Sequence, residues 1–226
     1  MELLMQVLDV FLHVDAHLAR LAADYGTWIY AILFLVIFCE TGLVVTPFLP
    51  GDSLLFAAGA LCAADVEQRG MSIAVLIPLL TVAAFAGDQV NYRVGQLVGP
   101  GFLAKGKIRF VKQAHLEKTQ AFYEKHGAKT VIFARFVPIV RTFAPFVAGI
   151  GRMHYARFIA FNAVGGFIWV ATCSLAGYFF GQLPWVKKNF EVVVLAIVFV
   201  SVLPIAIELA KGWLAARKAK QAPAVP

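Results

Sequence analysis

Charged side chains are scarce in this sequence. Asp, Glu, Lys and Arg together make up 15% of the residues, whereas 61% are hydrophobic. Ordinary soluble domains are roughly a quarter charged, so this composition excludes a soluble globular protein. The apolar stretches are continuous and do not alternate with polar residues, which excludes an outer-membrane barrel. We therefore expect an all-α polytopic membrane protein.

Cysteine is also rare, and the three present, Cys39, Cys62 and Cys173, are too widely spaced for a metal site or an evident disulfide framework. His13 and His17 lie four residues apart, but no third ligand is near, so we expect neither a metal nor a cofactor. The first twenty residues carry at least as many acids as bases, and a cleavable signal sequence is therefore not expected.

Positive charge is concentrated in two places. From residue 93 to residue 129 there are eight basic residues and two acidic ones, and four more basic residues follow residue 210. By the positive-inside rule both regions, and with them the C-terminus, are cytoplasmic. Because these clusters flank membrane segments, we expect them to bind anionic lipid headgroups and not nucleic acid.

The apolar runs and their interruptions divide a single membrane domain, residues 1–226, into segments. In chain order, we predict an interfacial amphipathic helix over 1–24, a helix with an acidic re-entrant hairpin over 28–64, a transmembrane helix over 72–93, a basic cytoplasmic amphipathic segment over 94–129, an arginine-bearing re-entrant hairpin over 130–150, transmembrane helices over 155–180 and 190–210, and a basic tail over 211–226. Gly177 and Gly181 have the spacing of a close helix contact.

The segment 135–149 places Arg135 and Arg141 in apolar surroundings, where an unpaired charge costs roughly 2.5–3.5 kcal/mol. Pro138 and Pro145 remove backbone donors, so the segment cannot form one continuous spanning helix without neighbours that satisfy the freed groups. We predict a broken, re-entrant hairpin whose guanidinium groups face a cavity and bind a phosphate or carboxylate. The alternative is a surface helix whose arginines extend to the headgroups.

A second interruption carries the opposite charge. Glu40 and Asp52 flank a run that contains Pro47, Pro50 and Gly51, and the apolar stretch that follows is too short to span a bilayer. Paired interruptions in two halves of a chain indicate a transporter site near the membrane midplane. A structural ion pair between the two hairpins is the alternative interpretation, and it is compatible with such a site.

Two further polar residues lie in predicted spans. Asp88 is a candidate third functional acid or the partner of Arg93, and the sequence favours neither interpretation. Asn162 is the one clearly polar group in the first half of its span, so we expect its side chain to face inward.

Together these motifs resemble the DedA family of bacterial inner-membrane proteins, over roughly residues 25–210. The resemblance is carried by Glu40-Thr41-Gly42, Pro50-Gly51-Asp52-Ser53-Leu54-Leu55, Gly59, Gly87-Asp88 with Tyr92 and Gly95, Lys125-His126-Gly127, and the arginines, prolines and final Ala148-Gly149 of the segment 135–149. It implies two opposed re-entrant hairpins, a fold shared with eukaryotic lipid scramblases. It also implies a role in returning undecaprenyl phosphate across the membrane, with Glu40, Asp52, Arg135 and Arg141 as essential residues.

We expect a membrane carrier that moves a lipid phosphate, in particular undecaprenyl phosphate, between leaflets. Arg135 and Arg141 would bind the phosphate, while Glu40 and Asp52 would compete for these arginines and take up protons. The alternatives are a non-selective phospholipid scramblase, a proton-coupled carrier of small solutes and a purely structural role. An enzyme is disfavoured because no serine or cysteine nucleophile lies beside a plausible base. A homo-oligomer is compatible with the sequence.

Overall fold

The computed structural model describes residues 14–43, 51–64, 71–104, 135, 138–151, 153–197 and 199. In chain order, the helices in these ranges are α1 (Val14–Tyr25), a 3-10 turn (Gly26–Trp28), α2 (Ile29–Gly42), α3 (Gly51–Ala64), α4 (Ile73–Ala104), α5 (Pro138–Ile150), α6 (Tyr155–Phe180) and α7 (Pro184–Lys188). Residues 190–197, at the start of the predicted final span, are also helical. The prediction of an all-α protein is thus confirmed for the part of the chain that the structure describes.

Within these ranges, three helical stretches are long and apolar enough to cross a membrane: Ala16–Gly42, Ile73–Val98 and Tyr155–Phe180. The third has the predicted bounds. The first starts earlier than the predicted residue 28, because α1 leads through the 3-10 turn directly into α2 and buries Leu18 and Ala22 in the core. The interfacial location of this N-terminal segment stays a prediction, and residues 1–13 lie outside the described ranges.

Helix α4 continues past residue 93, the predicted end of its span, and reaches Ala104. The reason is visible in the sequence, since no basic residue follows Arg93 until Lys105. Gly95 supports the extension because it packs directly against the backbone of Phe146 in α5. The remainder of the predicted basic segment and the tail from residue 211 lie outside the described residues.

Helices α3 and α6 pack closely because both carry glycines at their contact. A β-carbon at Gly59 would collide with the backbone of Ser174, and one at Gly177 would collide with the backbone carbonyl of Phe56. Gly181 extends the same contact, so the predicted close approach at this spacing is confirmed. Small residues let helix backbones approach in a membrane, where van der Waals packing has to replace the hydrophobic effect.

Helices α3 and α5 are too short to cross a bilayer. Their 14 and 13 residues give lengths of about 21 and 20 Å, against a hydrocarbon core of about 30 Å. Each packs on a longer helix, α3 on α6 and α5 on α4. Pro138 begins α5 and Pro145 lies inside it, whereas Pro47 and Pro50 lie outside the described ranges. The re-entrant course of both hairpins therefore stays a prediction.

Candidate functional site

Among the residues that the structure describes, five charged side chains meet where the ends of α2 and α3 approach α4, α5 and α6. Together with Trp169 and Asn162 they form two groups, which we call the Arg141 cluster (Arg141, Glu40, Asp52 and Trp169) and the Arg135 cluster (Arg135, Asp88 and Asn162). All of these side chains except that of Asp52 are almost completely buried.

In the Arg141 cluster, one guanidinium group links acids from two helices. Nη1 of Arg141 donates to Oδ1 of Asp52 at 2.8 Å, and Nη2 donates to Oε1 of Glu40. The guanidinium carbon lies 4.6 Å from the ring centroid of Trp169. Nε1 of Trp169 in turn donates to Oδ1 of Asp52 at 2.7 Å. The buried cation thus contacts two carboxylates and an aromatic face, which offset the loss of its hydration.

Helix ends position the two acids of this cluster. Glu40 lies in the last turn of α2, and Asp52 lies in the first turn of α3, where the helix dipole favours a negative charge. Gly51 provides the space between them, because a β-carbon there would collide with the carboxylate of Glu40. Arg141 lies near the start of α5, where the dipole disfavours a cation, so the two acids have to offset the cost of burying its charge.

The Arg135 cluster joins the two long helices α4 and α6. Nη2 of Arg135 donates to Oδ2 of Asp88 on α4 and to Oδ1 of Asn162 on α6. Nδ2 of Asn162 donates to the backbone carbonyl of Phe85 at 3.3 Å, which fixes the orientation of its amide. A β-carbon at Gly166 would lie 3.6 Å from the guanidinium group, an ordinary contact. This cluster therefore holds three parts of the chain together in the interior.

Asn91 connects the backbones on either side of the Arg141 cluster. Its Nδ2 donates to the carbonyl of Thr41 at 3.1 Å and to the carbonyl of Thr142 at 2.7 Å. These two residues directly follow Glu40 and Arg141 in the chain. The Asn91 side chain is fully buried on α4, so one amide group helps to set the distance between the acid and the arginine.

The clusters retain unused hydrogen-bonding atoms. Among the described residues, Nε and Nη1 of Arg135, Nε of Arg141 and Oε2 of Glu40 have no hydrogen-bond partner. Asp52 differs from the other carboxylates because 18% of its side chain is exposed. The arrangement therefore combines unused, buried donors with one partly exposed carboxylate.

The structure brings the predicted site residues together in a way that the sequence specified only in part. Glu40 and Asp52 both pair with Arg141, as the alternative interpretation of an ion pair between the two interrupted segments predicts. Asn162 faces inward, as predicted. Asp88 pairs with Arg135, not with Arg93. The Arg93 alternative is wrong because that guanidinium group lies over the Tyr155 ring, 5.0 Å from its centroid.

Sequence reasoning missed Trp169 and Asn91. Trp169 lies in an apolar run, where a tryptophan that contacts lipid and one that binds an arginine look alike. Asn91 follows Asp88 by three residues, which places the two on the same side of a helix, and this spacing was a usable signal.

Comparisons with known proteins identify the family of this chain. The VTT domain family matches residues 49–179. The chain is 51% identical to "Protein DedA" of Escherichia coli strain K12 over 219 residues, which cover 97% of this chain and 99% of that protein. The chain belongs to the DedA family. The match to the VTT domain includes both arginines, Asp52, Asp88, Asn162 and Trp169, and begins after Glu40.

Other relatives are more distant in sequence. An uncharacterized membrane protein of Mycobacterium tuberculosis strain H37Rv is 43% identical over 197 residues, with 87% of this chain and 86% of that protein covered. "Inner membrane protein YghB" of Escherichia coli strain K12 is 34% identical over 179 residues, with 79% and 78% covered. No solved structure matches the chain. The described part of this chain has three helical stretches that can cross a membrane, and one of its relatives is named an inner membrane protein. The chain is therefore a multi-pass membrane protein.

Proposed function

We propose that this protein carries a lipid phosphate, and specifically undecaprenyl phosphate, between the leaflets of the bacterial inner membrane, with its C-terminus in the cytoplasm. The observation that carries the proposal is the Arg141 cluster, in which a buried guanidinium group is shared by carboxylates from two separate helix ends. Such an arrangement keeps an anion-binding group charged in the membrane while its own acids occupy it.

The exposed carboxylate is the one that a substrate displaces. Asp52 has 18% of its side chain exposed, whereas Glu40 has 1%. A phosphate that arrives from the Asp52 side takes over Nη1 of Arg141 by a charge-assisted hydrogen bond. Glu40 keeps Nη2, so the arginine remains in place during the exchange.

Arg135 supplies the second set of donors. Its Nη2 is held by Asp88 and Asn162, whereas its Nε and Nη1 have no partner among the described residues. These two N–H groups lie on different edges of the guanidinium group, because Nε–H is on the side of Nη2, so each can donate one charge-assisted hydrogen bond to an anion. In the proposed loaded state, Arg135 and Arg141 thus share one phosphate group.

Charge balance supports proton coupling. Within the described residues, the two clusters contain three carboxylates and two guanidinium groups. A bound phosphate adds further negative charge to a buried site, which costs several kcal/mol unless it is compensated. Proton uptake by Glu40 or Asp52 would provide that compensation without any covalent step. The same charge balance also favours the second candidate function, a proton-coupled carrier of small solutes.

Leaflet exchange in proteoliposomes tests the proposal. Labelled undecaprenyl phosphate and a labelled phosphatidylglycerol are followed in parallel, with and without a pH gradient, for wild type, Arg141→Ala and Arg93→Ala. We expect movement of the polyprenyl phosphate that is lost in Arg141→Ala and kept in Arg93→Ala, since Arg93 is an exposed arginine outside both clusters. Arg141→Ala leaves the buried Glu40 carboxylate without its cation, which could destabilise the fold. The double variant Arg141→Ala with Glu40→Gln removes this unpaired charge, so lost transport in the double variant cannot be attributed to misfolding.

The outcomes separate the candidates. Equal, Arg141-dependent movement of both lipids would make the protein a scramblase. No movement of either lipid by a correctly folded wild type would overturn the lipid carrier and leave the small-solute carrier. Normal transport in Arg141→Ala would overturn the assignment of the phosphate site.

A further inference from the structure

Trp169 differs from the other tryptophans that the structure describes. Trp28 and Trp185 are 72% and 63% exposed, as expected for aromatic residues at a membrane surface, whereas Trp169 is 1% exposed. Buried tryptophans usually satisfy their indole N–H with an acceptor. Here the acceptor is a carboxylate of the candidate site, and the ring lies against the arginine of the same site.

We propose that Trp169 is a positioning residue that allows a phosphate to exchange with Asp52 on Arg141. This inference rests on the proposed function and deepens it. The ring and the N–H group of the indole act on different partners, and both actions are needed when the substrate enters.

The ring keeps Arg141 in position. Its centroid lies 4.6 Å from the guanidinium carbon, and this contact does not use any of the N–H groups of the arginine. A cation–π contact therefore persists while the hydrogen-bond partners of Arg141 change. The guanidinium group stays aimed at the site when one of its carboxylates leaves.

The indole N–H keeps its hydrogen bond to Asp52 after this carboxylate has left Arg141. In the observed state Oδ1 of Asp52 accepts both from Arg141 at 2.8 Å and from Trp169 at 2.7 Å. When a phosphate takes over Nη1 of Arg141, Trp169 continues to donate to Asp52. In a low-dielectric site the hydrogen bond from Trp169 stabilises Asp52 more strongly once Arg141 donates to the phosphate instead. This hydrogen bond therefore favours the phosphate-bound state over the empty state.

Equilibrium binding of a phosphate amphiphile measures this effect. The purified full-length protein in maltoside micelles is titrated calorimetrically with dodecyl phosphate, and with dodecyl phosphocholine as the zwitterionic control. The variants are Arg141→Ala, Trp169→Phe and the matched Trp185→Phe, which makes the same substitution at an exposed tryptophan. We expect Trp169→Phe to raise Kd roughly tenfold, the effect of losing one hydrogen bond to a charged group. Trp185→Phe should bind as wild type.

A double-mutant cycle distinguishes positioning from general packing. Asp52→Asn keeps the shape of the side chain but removes the charge that the indole holds. In that background we expect Trp169→Phe to change Kd less than about twofold, because a neutral amide needs the donor less than a carboxylate does. An equal tenfold loss in both backgrounds would show a merely structural role and would overturn the inference.

Failure of this inference is distinguishable from failure of the proposed function. If wild type and Arg141→Ala bind dodecyl phosphate equally, the phosphate site is wrong and the role of Trp169 falls with it. If binding depends on Arg141 but Trp169→Phe binds as wild type, only the role of Trp169 is overturned. Should Trp169→Phe not fold, benzothienylalanine at this position, with the other tryptophans changed to phenylalanine, removes the N–H group while keeping the ring volume, and the same two results decide.

Discussion

The Arg135 and Arg141 clusters both pair a buried arginine with carboxylates, but the partners of the two arginines occupy different positions in their helices. Arg135 is held by side chains from the middle of two long helices, α4 and α6, and both members of its ion pair are 3% exposed. Arg141 is held by acids at the end of α2 and the start of α3, and one of them is partly exposed. Helix interiors fix a side chain, whereas helix ends can adjust by small changes of a few backbone dihedral angles.

This difference suggests a division of labour within one site. The Arg135 cluster has to stay intact for the helices to pack, because removing one member of a buried pair leaves an uncompensated charge. In the proposed function, by contrast, the Arg141 cluster opens when a substrate binds. A buried ion pair is therefore not by itself evidence of a structural or of a functional role. Its position within a helix or at a helix end is the feature that distinguishes the two clusters.

The largest expected effect is on the stability of the Arg135 cluster. Asp88→Asn leaves Arg135 buried without its counter-ion, and we expect the free energy of unfolding to fall by about 3–5 kcal/mol. The matched change Asp52→Asn should cost about 1 kcal/mol or less, because Arg141 keeps Glu40 and Asp52 is partly exposed. Reversible unfolding in mixed SDS micelles measures both values. Similar losses in the two variants would contradict the proposed division.

A smaller effect is expected where Asn91 connects the backbones of the Arg141 cluster. Asn91→Leu leaves the carbonyls of Thr41 and Thr142 without this donor and should cost about 2 kcal/mol in the free energy of unfolding. Asn189→Leu is the control, since Asn189 also donates to a backbone carbonyl but in exposed surroundings, and it should stay within about 0.5 kcal/mol of wild type. Equal effects would show that the buried connection has no special role.

The smallest change in stability is expected from a single methyl group. A β-carbon at Gly51 collides with the carboxylate of Glu40, whereas one at Gly166 makes an ordinary contact of 3.6 Å with the guanidinium group of Arg135. We expect Gly51→Ala to cost about 1 kcal/mol, because Glu40 can turn away, and to impair leaflet exchange by disturbing its pair with Arg141. Gly166→Ala should exchange lipid as wild type does. If Gly166→Ala impaired lipid exchange and Gly51→Ala did not, the roles assigned to the Arg135 and Arg141 clusters would have to be exchanged.

The sequence predicted much of the site because charge is costly in a membrane. Glu40, Asp52, Arg135 and Arg141 stand out in apolar runs, and proline and glycine mark the interruptions beside them. It did not predict which acid each arginine takes. Asp88 has Arg93 close by in sequence and Arg135 far away, and only the packing of the helices selects Arg135.

Composition and the positions of the apolar runs by themselves determined that this is a helical membrane protein, because few other backbone conformations satisfy their own hydrogen bonds inside a bilayer. They also determined which charged residues need partners. The tertiary structure decided the pairing, the different exposure of the two clusters, and the roles of Trp169 and Asn91. These depend on contacts between residues that are distant in the chain, for which local periodicity carries no information.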